Sequence, residues 1–100
     1  MKNLKTIDVN AKEWFDKANG NSYFSGTITT NFGMDDAKEY IMPFQYGYGD
    51  HYIDMAKCQL TEHNRISPDL MQDLPRYCRE NDIILRNSIQ RGCKKRDLKW

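Results

Sequence analysis

No stretch of this chain approaches the ~18 consecutive apolar residues that a bilayer-crossing helix needs. The opening Met1-Lys2-Asn3-Leu4-Lys5 is charged but leads into no apolar core of a secretory signal, so a cytoplasmic protein without a membrane partner is expected. Cys-x-x-Cys is also missing. The three cysteines, Cys58, Cys78 and Cys93, are odd in number and far apart, which excludes full internal pairing and points to reduced thiols. No Gly-rich loop ends in Lys-Ser or Lys-Thr, so nucleotide hydrolysis of the P-loop type is excluded. Nor does either charge dominate: the formal net charge is +1, too small to mark the whole chain as a nucleic-acid coat or a polyanion.

What is present suits one folded domain. One hundred residues supply a single modest core, and 39% hydrophobic against 29% charged residues rules out wholesale disorder. The even total hides a polarised distribution. Six acids against two bases fall between Asp35 and Glu62, whereas six bases against one acid fall between Arg86 and Trp100. We therefore divide the chain into a domain over residues 1–90 and a basic C-terminal tail over 91–100.

Along the chain, residues 4–9 alternate weakly and read as a short strand. Asn10 with Glu13 three residues later has the form of a capping box, predicting a helix over 11–18 that buries Trp14 and is closed by Asn19-Gly20-Asn21. Residues 22–32 and 38–46 both alternate with period two and predict a hairpin. It places Phe24, Gly26, Ile28, Thr30 and Phe32 on one face. Pro43 cannot donate to a ladder, so the second of these strands is placed at an edge or a bulge, and edge pairing there offers a route to a dimer. Asp50 starts a helix over 51–63 with Ile53, Ala56, Lys57 and Leu60 on one stripe. Ser67-Pro68-Asp69 opens a further helix, which Pro75 kinks or splits. A last strand begins at Ile83-Ile84-Leu85. The predicted fold is α+β: a small antiparallel sheet in the order β-α-β-β-α-α-β, with helices packed on one face.

Two segments carry candidate binding chemistry. In Phe44-Gln45-Tyr46-Gly47-Tyr48-Gly49-Asp50-His51-Tyr52, glycines and tyrosines meet where a strand gives way to a helix. Tyr46, Tyr48 and Tyr52 can fill a partner's pocket, with Asp50, His51 and Asp54 as polar edges. The same residues also suit a purely structural corner in which the glycines meet backbone demands and the rings finish the core. In the tail, Arg91, Lys94, Lys95, Arg96 and Lys99 can neutralise phosphates while Trp100 stacks on a base; the alternative is a frayed, solvated end. Metal binding and cofactors are not expected. His51, Cys58 and His63 are spaced seven and five apart, which is not the i, i+4 pair of a helical metal site, and no catalytic set is evident.

The runs Glu13-Trp14-Phe15-Asp16-Lys17, Gly20-Asn21-Ser22-Tyr23 and Phe44-Gln45-Tyr46-Gly47-Tyr48-Gly49 resemble small proteins encoded by bacteriophages and mobile elements. That resemblance covers roughly the first sixty residues and implies a genomic setting, in which small anti-defence inhibitors, anti-CRISPR proteins among them, are similar in size. The expected function is a non-enzymatic inhibitor of a host protein or ribonucleoprotein, most concretely a defence nuclease complex of CRISPR-Cas type. Two alternatives stand beside it: a nucleic-acid-binding accessory protein that uses the basic tail, and a sponge for a small nucleotide signal.

Overall fold

A computed structural model describes residues 4–47, 49–63, 65–66 and 73–98. The first strand, β1, spans Thr6–Asp16, and β2 spans Asn21–Thr30. Strand β3 spans Lys38–Tyr46, followed by helix α1 at His51–Glu62 and α2 at Leu74–Glu80. Strand β4, Ile84–Gln90, leads to a single 3₁₀ turn at Lys95–Asp97. The sheet order is β3-β2-β1-β4. The α+β class with helices on one face is what the sequence predicted, with two differences of detail.

The first difference is at the N-terminus. No helix occupies residues 11–18; β1 continues to Asp16, residues 17–20 turn, and the strand pairs antiparallel with β2 from Ile7↔Thr30 to Asp16↔Asn21 without a break. Ile7, Val9, Ala11 and Glu13 are buried in strict alternation, so the apolar period of 2 carries past Asn10. Asn19-Gly20, expected to close a helix, instead forms the hairpin turn. The Asp16 carboxylate accepts hydrogen bonds from the Ala18 N–H (3.0 Å) and the Asn19 side-chain amide (2.8 Å). Gly20 takes φ +69°, which a Cβ would resist.

The second difference is that the sheet is mixed. β4 lies parallel to β1, in register from Thr6↔Ile84 to Lys12↔Gln90. The β2–β3 hairpin forms as expected, and β3 is an edge strand with a bulge at Pro43-Phe44, opposite Ser25. Phe32, predicted on the core face, is 67% exposed. The strand has already ended at Asn31, whose left-handed φ of 52° turns the chain away. Asn31 is itself buried, and its side-chain oxygen accepts from the Lys5 N–H (2.6 Å), tying the turn to the start of β1.

One face of the sheet forms the core. Ile7, Val9, Phe24, Ile28, Tyr40 and Met42 meet Tyr52, Ile53, Ala56 and Leu60 of α1 and Leu74 and Cys78 of α2. Gly26 sits opposite Ala11, where a Cβ would collide with the Asn10 carbonyl and the Ala11 Cα. Pro75 opens α2 rather than breaking it. It stands in the first turn, where its missing N–H costs nothing, and the Asp73 cap accepts from the Arg76 N–H (2.9 Å). The helix expected from Ser67-Pro68-Asp69 lies outside the described residues.

Candidate functional site

The strand-to-helix corner divides between core and surface. Tyr52 is a correction: at 3% exposure it belongs to the core, its hydroxyl donating to Asn87 on β4 (3.1 Å). Burial, reinforced by the charge of Asp50, raises its pKa, so it stays a neutral donor. Position 52 falls on the stripe 52-56-60 that α1 presents to the sheet, which leaves it no route to solvent. Gly47 is likewise structural, since a Cβ there would run into the His51 ring and into Phe24. Tyr48 lies outside the described residues.

The rest of the corner does come together. Tyr46, Gly47, Asp50, His51 and Asp54 line one open concavity of ≈ 430 Å³. Tyr46 is 57% exposed, and Asp50, His51 and Asp54 are exposed along the first turn of α1. His51 packs edge-on against Phe24, which fixes its ring at the rim. His63 lies beyond the far end of α1 against Tyr40, with Cys58 exposed on the helix between them.

The tail folds back on β1. The Cys93 N–H donates to the Glu13 carbonyl (3.0 Å), the Arg91 guanidinium pairs with the Glu13 carboxylate (3.0 Å), and Leu98 is buried. Arg91 is therefore occupied by an internal ion pair. Lys94, Lys95 and Arg96 are exposed on and beside the 3₁₀ turn and enter no ion pair among the described residues. Lys99 and Trp100 lie outside the described residues.

A feature not anticipated links these two regions. On the sheet face away from the helices, Trp14 and Tyr23 stack with centroids 5.5 Å apart, and Tyr23 and Phe44 stack at 5.1 Å. Tyr46 meets Tyr23 edge-on at 5.8 Å, and the Lys95 ammonium sits 5.6 Å over the Trp14 ring. Cross-strand pairing explains the row: Trp14 is opposite Tyr23, and Tyr23 is opposite Tyr46. One end of the sheet thus carries a line of aromatic rings with the acidic corner at its β3 side and the basic tail at its β1 side. Beside it, Asp16 is held below the usual carboxylate range. The Asn19 side-chain hydrogen bond is the main cause, and backbone N–H groups of Asn19 and Ala18 and the Lys95 charge add to it. Next to Trp14, a second open concavity of ≈ 480 Å³ is lined by Trp14, Phe15, Lys17, Gly92, Cys93 and Lys94.

Among the described residues, no group of three or more His, Cys, Asp or Glu side chains gathers in a way that holds a metal ion, and no helix is long and apolar enough to cross a membrane. Comparison of the chain with protein-family models, curated proteins and solved structures finds no match.

Proposed function

We propose that this is a small non-enzymatic binding protein that acts by surface recognition in the host-cell cytoplasm, inhibiting a host macromolecule through the acidic corner. The observation that carries this reading is the single open concavity shared by Tyr46, Asp50, His51 and Asp54. An exposed phenol beside two carboxylates suits a partner that presents arginine. The ring offers a rigid anchor and the carboxylates accept charge-assisted hydrogen bonds. Acidic groups spaced along a helix start also imitate phosphates, which suits the basic nucleic-acid channel of a ribonucleoprotein. A defence nuclease complex of CRISPR-Cas type is the most concrete such target.

The test is cleavage of target DNA by purified complexes of this type, together with calorimetric binding. Wild type slows cleavage and binds. Tyr46→Ala, or Asp50→Asn combined with Asp54→Asn, weakens binding by roughly tenfold or more, as expected for a contact anchor. Binding that survives all three substitutions would remove the corner from the contact surface.

A further inference from the structure

We infer that the concavity between the first hairpin and the tail is a seat for one nucleotide of a single-stranded nucleic acid. The base would lie against Trp14 on the open face, with the adjoining phosphates held by Lys17, Lys94 and Lys95. This site is distinct from the acidic corner and does not depend on it, since Tyr23 and Phe44 stand between the two.

Four observations converge on it. First, the hollow pairs the Trp14 ring with two lysines, Lys17 from the hairpin turn and Lys94 from the tail, the combination that binds a base and its phosphate. Second, its volume of ≈ 480 Å³ falls in the range of small-molecule sites, on the scale of one nucleotide. Third, Lys95 already rests over the Trp14 indole, a place that a base can take while the ammonium moves to a phosphate. Fourth, the lysines here are not held in close ion pairs, although the Lys95 charge also acts on Asp16. Arg91 is bound to Glu13, whereas Lys17, Lys94, Lys95 and Arg96 enter no ion pair among the described residues.

Charge complementarity favours a single strand over a duplex. The lysines are interspersed with Asp16 and Asp97, and across the ring row stand Asp50 and Asp54. A second phosphate backbone lying alongside the first would fall on those carboxylates. A duplex also keeps its base faces buried in its own stack, so the indole has nothing to receive.

The experiment measures binding of a fluorescently labelled twelve-nucleotide single strand by anisotropy at about 50 mM salt, where phosphate contacts are strongest. Wild type binds saturably. Lys94→Glu with Lys95→Glu weakens binding by about tenfold or more, and the salt dependence of log Kd becomes shallower by about 1.4, the share of two single-strand phosphates. Trp14→Leu weakens binding by roughly fivefold or more, whereas Arg79→Glu, a charge reversal on the far helix, leaves it unchanged. A second readout places the ligand without a mutant. The oligonucleotide slows alkylation of Cys93, which lines the hollow, and leaves exposed Cys58 as the internal reference. Absence of saturable binding would overturn the proposal. So would equal affinity for duplex, competition by a free nucleoside monophosphate at the same concentration, equal loss in Arg79→Glu, or an unchanged Cys93 rate. None of these results bears on the corner, whose variants are read against a protein complex.

Discussion

The two faces of this sheet come from the same strands yet obey different rules. On the helix-covered face the central positions are fixed by volume: Ile7, Val9, Ile28 and Met42 fill the space under α1, and Gly26 is small because the β1 backbone passes directly over it. On the open face, Trp14, Tyr23, Phe44 and Tyr46 stand in a row that neither α1 nor α2 covers. Neighbours in sequence therefore differ in what they do. One residue of a pair packs in the core and the next stands on the open face.

The sharpest way to break that comparison is to truncate adjacent residues of β2. Ile28 is fully buried, and Ile28→Ala is expected to cost about 2–5 kcal/mol through lost burial and the cavity left behind. Thr29, on the open face, is expected to cost less than about 1 kcal/mol as Thr29→Ala. Urea denaturation of the two variants decides it. Similar losses would mean that the open face is covered in solution.

A second prediction uses the thiol on the covered side. Burial pushes the Cys78 thiol up to about 11 from an ordinary 9.0. Between those values the unfolded chain gives up a proton that the folded chain keeps, so stability falls as pH rises from 9 to 11 and is untouched below 9. Melting temperatures from pH 7 to 11 should decline less steeply in Cys78→Ala than in wild type. Parallel curves would show that the thiol is already exposed to solvent.

The smallest effect tests an exception. Ser25 belongs to the open face by alternation, yet it is fully buried opposite the Pro43-Phe44 bulge, and its hydroxyl has no hydrogen-bond partner among the described residues. Ser25→Ala removes an unsatisfied polar group and is expected to be neutral or stabilising by up to about 1 kcal/mol. A clear loss of stability in thermal unfolding would mean that the hydroxyl is bonded after all, for example to water.

Much of the fold was legible where local chemistry and tertiary demand agree. The β2–β3 hairpin, the proline-marked edge and the start of α1 after Asp50 all followed from residue type and spacing, although the Asp50 side chain makes no capping hydrogen bond. The reading failed at β1 because its signals are shared. Asn-Gly closes helices and turns hairpins alike, and Asn10 with Glu13 has the form of a capping box. The continued alternation of Ile7, Val9, Ala11 and Glu13 was the signal that separates the two, and the lone apolar Ala11 made it faint. That single misreading also hid the aromatic row, since Trp14 meets Tyr23 only if residues 11–16 are a strand. At the corner, the acidic residues and Tyr46 were legible from their type. Tyr52 was not, because the choice between core and surface depends on how α1 is rotated against the sheet.

The parallel seam between β1 and β4 carries a consequence for how the protein is made. Asp8–Arg86, Asn10–Ser88 and Glu13–Arg91 each join partners 78 positions apart. A nascent chain emerging from the ribosome can zip up the three antiparallel strands early, but β1 keeps one flank unpaired until β4 has been translated. That flank is a ready template for another chain, so a premature stop before Ile84 would yield a sticky product rather than a merely shortened one.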